Sequence, residues 1–186
     1  MIFHQSHTKI IKTFHKILYK GVLYHERTKS NKNQCCRFCT IWYIFQHDRA
    51  RRLSIHGEIH KFYPDRISGT CMGSIGFSPI AVHKDERIVK AAEYHTTTWE
   101  GIVALDDDMI IHVAPASAGA PVPELTRAFI VPKGTMVKIN TAIWHLCPLP
   151  LNNEVLHAMI ILPECTYAND CTVVDFEEKD WFKITV

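Results

Sequence analysis

EYHTTTWE (residues 93–100) and VPKGTMVKINTAIWH (131–145) decide how this chain reads. The first stretch puts Glu93, His95 and Glu100 on one short strand and its turn. The second passes through a tight Pro132-Lys133-Gly134 turn into another strand, beyond which stands a lone histidine, His145. Strands bearing such side chains, paired across a small barrel, make a polar pocket able to hold a metal ion or a small anion.

The sequence around these stretches has the same β character. IGFSPIAVH (75–83) alternates apolar residues around a Ser-Pro, and RIVKAAEYH (87–95) is a further strand candidate. GIVAL (101–105) and MIIHVA (109–114) flank Asp106-Asp107-Asp108, which predicts an acidic hairpin turn. PASAGAPVPE (115–124) is a Pro/Ala/Gly loop that cannot join a central strand. AFIV (128–131) and TMVKIN (135–140) follow, VLHAMIIL (155–162) is the last strong strand, and CTVVDF (171–176) reads as an edge strand. Short strands divided by turns argue for an all-β sandwich or barrel beginning near residue 62.

Upstream the character changes. Residues 1–66 carry 13 Lys and Arg against 4 Asp and Glu, whereas the remainder carries 8 against 15. Such asymmetry predicts two segments with different roles: a basic extension over 1–61 and a barrel domain over 62–186. Ile10, Ile11, Phe14, Ile17 and Leu18 recur at helical spacing beside Lys9, Lys12, Lys16 and Lys20, so residues 5–20 are expected as a basic amphipathic helix. That helix packs on the barrel, acts as a targeting presequence, or meets an anionic surface. Aromatic residues interleave with the basic ones (Phe14, Tyr19, Tyr24, Trp42, Tyr43), yet no nucleic-acid-binding motif is recognisable, and nucleic acid is not the expected partner.

The chain has 186 residues, enough for one domain with a real core plus an extension. No apolar run is long enough to cross a membrane as a helix, and the N-terminus lacks the apolar stretch and cleavage site of a secretory signal. The expected location is cytoplasmic, or organellar if residues 1–30 are a presequence. Seven cysteines (35, 36, 39, 71, 147, 165 and 171) without a secretory signal read as reduced thiols. Cys36 and Cys39 form a CxxC with no second pair nearby to close a zinc site.

The arrangement His95-x4-Glu100, then Pro132-x-Gly134 and the distant His145, resembles the paired motifs of the cupin superfamily. That resemblance implies a double-stranded jelly roll and a divalent metal. Here Glu93 takes the place of the first motif histidine, so the carry-over is a set of Glu93, His95, Glu100 and His145. Two carboxylates and two histidines can equally serve as a metal-free acid/base cluster. More closely, the EYH…E strand, the I-H-V-A-P end of the next strand, and the P-x-G…W-H…P-L-P segment resemble the ureidoglycolate lyase family of cupins over roughly residues 75–176. No such likeness extends into residues 1–60.

The resemblance implies an enzyme of purine breakdown that cleaves ureidoglycolate to glyoxylate and urea. Such cleavage needs a base for the hydroxyl proton and an acid for the departing nitrogen, work that histidine and glutamate do near neutral pH. His95 or His145 is the expected proton-transfer residue, with Glu93 and Glu100 as metal ligands or orienting partners. Lys138 and Lys90 are candidates to hold the substrate carboxylate, and Trp144 is a candidate pocket wall. His112 faces either the barrel interior or solvent, and His157, among apolar neighbours, is expected as a core histidine. Two alternatives remain open: a cupin enzyme of other chemistry, such as a metal-dependent isomerase or oxygenase, or a non-catalytic small-molecule-binding cupin. A homodimer is expected by analogy with other cupins.

Overall fold

Apolar residues recur at every second position along most of the chain beyond Ile75, and the backbone follows them into strands. The computed structural model describes residues 19–20, 42–44, 55–62, 64–65 and 67–186. Its strands are β1 (Tyr19–Lys20), β2 (Trp42–Ile44), β3 (Ile55–His56), β4 (Lys61–Phe62), β5 (Ile75–His83), β6 (Ile88–Val89), β7 (Ala91–Tyr94) and β8 (Glu100–Ala104). They continue as β9 (Met109–Val113), β10 (Arg127–Val131), β11 (Met136–Ile139), β12 (Leu149–Pro150), β13 (Val155–Pro163), β14 (Thr172–Asp175) and β15 (Phe182–Lys183). A single α-helical turn, α1 (Thr166–Asn169), lies between β13 and β14.

Two sheets carry the fold, one ordered β2-β11-β8-β13-β5 and the other β1-β10-β9-β12. Their inner faces share one core. Ile102, Ala104, Val137, Ile139, Leu156, Ala158, Ile160 and Leu162 come from the first sheet, and Met109, Ile111, Val113, Phe129 and Val131 from the second. This is the expected all-β jelly roll. Pro79 sits in β5, an edge strand of its sheet, where a missing N–H is tolerated. β9 is buried along its whole length because a second cluster, with Val89, Phe182 and Ile184, covers its other face. His112 lies on that outer face, buried, with its ring edge-on to Phe182.

Two sequence expectations change. Asp106–Asp108 does not close a hairpin: β8 pairs with β11 and β13, while β9 pairs with β10 and β12, so the turn crosses from one sheet to the other. Pro132-Lys133-Gly134 is the expected tight turn, closed by the Thr135 N–H on the Pro132 carbonyl at 3.0 Å, and it too crosses between sheets, from β10 to β11. The two crossings are tied together, since the Lys133 N–H donates to Asp108 Oδ1 at 2.8 Å and the Gly134 N–H to the Ala104 carbonyl at 2.9 Å. Gly134 has φ +76, which suits a residue without a side chain. Finally, the strand expected over 87–95 is split at Lys90 into β6 and β7, which pair with β15 and β14 respectively.

The helix expected over 5–20 lies outside the described residues except for Tyr19–Lys20, which form a strand parallel to β10. β2 extends the five-stranded sheet beside β11. The CxxC also lies outside the described residues. Among the described residues, no helix is long and apolar enough to cross a membrane.

Candidate metal centre

Glu100 opens β8 with the same inward parity as Ile102 and Ala104, so its carboxylate points into the barrel and is buried. His95 follows β7. His145 is brought opposite by backbone pairing: the Glu93 N–H donates to the His145 carbonyl at 2.7 Å and the His145 N–H to the Glu93 carbonyl at 2.9 Å. The turn that leads to His145 is pinned to His95, whose carbonyl accepts the Ala142 N–H at 2.7 Å. Ala142 has φ 64, a strained value for a residue with a side chain, held by the contacts around it.

Three of the four expected residues meet at one point. His95 Nε2 lies 3.1 Å and His145 Nε2 3.2 Å from the same oxygen, Glu100 Oε2. Both imidazoles are anchored from behind. Nδ1 of His95 donates to the Asp170 carbonyl at 2.8 Å, and Nδ1 of His145 to the Ile143 carbonyl at 2.7 Å. With Nδ1 committed as a donor, each Nε2 turns either a lone pair or a second proton toward Glu100. Two lone pairs facing a carboxylate repel it, so the arrangement is stable in two states: with protonated histidine, or with a cation among the three groups. Imidazoles backed by carbonyls and joined by a carboxylate fit a divalent metal ion. One ligand atom from each of His95, Glu100 and His145 lies within 4.8 Å of the others, all three residues buried. These residues could hold the metal.

Glu93 is adjacent. Its Oε1 is 4.0 Å from His145 Nε2, and its Oε2 accepts the Cys171 thiol proton at 3.3 Å. Its side chain is the more exposed carboxylate of the pair, at 13% against 3% for Glu100. It therefore stands at the open side of the cluster.

The charges respond to this packing. Burial alone would raise the Glu100 carboxyl, but hydrogen bonds from His145 and His95 hold it down at about 2. Burial would lower His95, yet the bond to Glu100, with that to the Asp170 carbonyl, raises it. Burial and its bond to Glu93 push Cys171 up to about 12. Burial, with the charges of Glu93, Asp85 and Glu100, pushes Cys147 to about 11. Both thiols stay protonated at neutral pH and are not nucleophiles there. Tyr167 on α1 sets its ring edge-on to His95 at 6.2 Å, and burial and the Glu100 and Glu93 charges raise its hydroxyl.

The remaining sequence candidates lie elsewhere. Lys138 falls between inward-facing Val137 and Ile139, so it projects from the outer face; its Nζ donates to the Ser68 carbonyl at 2.6 Å and lies 5.5 Å above the Trp99 ring. Lys90 is exposed, its Nζ 4.8 Å above the Trp181 ring. Trp144 is buried among Ala92, Ala114 and Tyr94, with its indole N–H on Ser117 Oγ at 3.0 Å. His157 is not a core residue: it is the outward neighbour of buried Leu156 and Ala158 on β13, and it bonds Asp106 at 2.5 Å. The apolar run around it misled because alternate residues of one strand face opposite ways. Tyr167 and Cys171 were missed. Asn169-Asp170 in the TYANDC segment (166–171) reads as a turn that shapes the pocket or the dimer edge, and no local pattern reveals which of its groups reach the site.

The sequence model of the ureidoglycolate lyase family matches residues 9–183, well beyond the stretch on which the resemblance was legible. No curated protein matches the chain in sequence. Among solved structures the chain is similar to a dTDP sugar isomerase from Desulfovibrio desulfuricans G20 (10% identity, TM-score 0.46, covering 75% of this chain and 85% of that one). It is also similar to the oxalate decarboxylase of Bacillus subtilis, whose Mn(II) centres have been studied (18% identity, TM-score 0.40, covering 56% and 24%). A third is the RmlC epimerase from Legionella pneumophila Philadelphia 1 (12% identity, TM-score 0.38, covering 77% of each). These likenesses carry no assignment of activity.

Proposed function

The chain belongs to the ureidoglycolate lyase family, and on that footing we propose that it cleaves ureidoglycolate to glyoxylate and urea. One observation carries the reading within the family: two histidine nitrogens and one carboxylate oxygen converge at about hydrogen-bond distance, with both rings anchored through Nδ1. A divalent metal held by His95, Glu100 and His145 would bind the substrate hydroxyl and carboxylate and lower the hydroxyl pKa.

The chain's own residues then have distinct tasks. His95 and His145 fix the geometry, and Glu100 supplies the buried negative charge. Glu93, at the open side, takes the proton from the carbinol hydroxyl. As the C–N bond breaks, its electron pair passes to the ureido nitrogen and the carbon–oxygen double bond of glyoxylate forms. The proton on Glu93 moves to that nitrogen, giving urea. Cys171 donates to the other Glu93 oxygen and orients the carboxylate. With Lys138 and Lys90 engaged elsewhere, neither expected lysine holds the substrate carboxylate, and a metal on His95, Glu100 and His145 would take that task.

A metal-free reading is favoured by one geometric observation: His95 Nε2 and His145 Nε2 stand 3.1 Å and 3.2 Å from Glu100 Oε2, hydrogen-bond distances that suit a protonated imidazole on a carboxylate. In that case a protonated histidine holds the substrate carboxylate. A homodimeric, cytoplasmic enzyme is the form expected in either case.

The test is glyoxylate release from ureidoglycolate by purified, metal-analysed protein, with His145→Ala alongside. Release that is lost in a folded His145→Ala upholds the lyase reading. Release that survives chelation and metal removal moves the mechanism to the metal-free form. No release with a stoichiometric redox metal points to a cupin of other chemistry, and no release with no metal points to a binding protein.

A further inference from the structure

Asp170 reaches the candidate site with its main chain and braces itself with its side chain. Its carbonyl accepts the His95 Nδ1–H at 2.8 Å. Its carboxylate accepts from the Thr96 N–H at 2.7 Å, the Thr97 N–H at 2.9 Å and the Thr97 hydroxyl at 2.6 Å, and it also bonds the Thr96 hydroxyl. Its own N–H closes α1 on the Thr166 carbonyl at 2.7 Å. Every polar group of this one residue is therefore committed, and the two threonines it grips directly follow the histidine it touches.

Ordinary loop packing does not require this arrangement. Thr96 and Thr97 are exposed, and their amides could turn to water. Four donors on one carboxylate instead hold the loop between His95 and Glu100 against a segment about 75 residues distant. The result fixes both ends of the imidazole: the carbonyl behind Nδ1 and the backbone from which the ring projects.

We infer that Asp170 is a positioning residue for His95: its carboxylate, locked on Thr96 and Thr97, sets its own carbonyl against Nδ1 and keeps Nε2 aimed at Glu100. The inference rests on the metal reading for its affinity consequence alone. Residues that orient a metal-binding histidine through its second nitrogen change metal affinity by about 10–100-fold when removed.

The experiment compares wild type, Asp170→Ala and a Thr96→Val/Thr97→Val double variant. Each is stripped of metal and titrated with Co(II) by calorimetry and absorption. The His95 Nδ1–H is followed separately by nitrogen-resolved NMR of the metal-free protein. Asp107→Ala cuts a comparable carboxylate clamp away from the site and serves as a stability control. The expected result is about 10–100-fold weaker Co(II) binding and loss of the slowly exchanging Nδ1–H signal in Asp170→Ala. Asp107→Ala should lower the melting temperature and move neither readout. If Asp170→Ala does not fold, the threonine double variant, which keeps the carboxylate and both amides, should still weaken binding in the same direction. An unchanged Co(II) affinity with an intact Nδ1–H signal in a folded variant overturns the inference. If wild type does not bind Co(II), the metal reading fails by itself. The NMR comparison still decides the role of Asp170, since persistence of the signal in Asp170→Ala overturns it.

Discussion

Replacing Glu100 with glutamine keeps the shape of the side chain and removes the charge on which both histidines converge. The size of the effect follows from the carboxyl group itself, which is held at about 2 in the fold against an ordinary 4.5. One pKa unit corresponds to about 1.4 kcal/mol, so ionised Glu100 contributes about 3 kcal/mol to the stability of the metal-free protein. The folded-state value is the depressed one, so this stability is fully present above about pH 4.5 and is lost as the pH falls toward 2. At about pH 3 some 2 kcal/mol of it is already gone. His95 shifts upward, so its share is fully present below 6.5 and disappears as the pH rises through the folded-state value. Urea denaturation of chelator-treated wild type and Glu100→Gln from about pH 3 to pH 8 measures both limbs. The wild-type profile should fall on the acid side by about 2 kcal/mol more than that of the variant, and the variant should be flatter on the alkaline side. Parallel profiles would show that the three groups do not share charge as their geometry implies.

Other consequences are open to direct measurement. Asp107→Ala deprives the N–H groups of Leu151, Asn152 and Asn153, and the Asn152 amide, of their common acceptor, so it should cost about 3 kcal/mol in urea denaturation. A loss below about 1 kcal/mol would mean that water replaces the carboxylate. His157→Ala breaks a pair whose side chains are 57% and 39% exposed, and should leave the urea midpoint essentially unchanged; a clear loss would restore His157 to the core. Metal binding at His95, Glu100 and His145 must displace the proton on His95 Nε2, so Co(II) affinity should fall as pH is lowered from about 8 to 5, with proton uptake by the calorimetry buffer. An affinity independent of pH and buffer would place the metal elsewhere.

The strands were legible because a period of two leaves its mark locally. β5, β8, β9, β10, β11 and β13 all fall within a residue or two of the apolar runs that predicted them. Their pairing was not legible. A three-residue turn such as Asp106–Asp108 serves a hairpin or a crossing between sheets equally well, and the decision is made at a distance. Asp107 caps Leu151–Asn153 and Asp108 holds the Lys133 amide, so the acidic turn is an anchor for two other loops. The same blindness explains His157. Its apolar sequence neighbours belong to both faces of β13, and only the sheet beside it reveals which face is inside.

The site divides along the same line. Glu93, His95, Glu100 and His145 were singled out by their resemblance to the paired cupin motifs, and the fold brings His95, Glu100 and His145 to one point with Glu93 adjacent. What could not be read is the side of the site that faces away from those strands. The segment from Cys165 to Cys171 brings Tyr167 beside His95, the Asp170 carbonyl to its Nδ1 and the Cys171 thiol to Glu93, all within seven residues that locally spell a turn. Cys165 opens it with φ 61, a left-handed residue without glycine's freedom. Ala142, on the turn before His145, is strained in the same way. Two such residues in the loops that carry the His95 anchor and His145 imply that the surrounding contacts hold the backbone where it would not rest alone. A cluster of one carboxylate and two histidines needs that constraint. Both Nε2 atoms face one Glu100 oxygen, and the carbonyls on each Nδ1 hold the rings in that orientation.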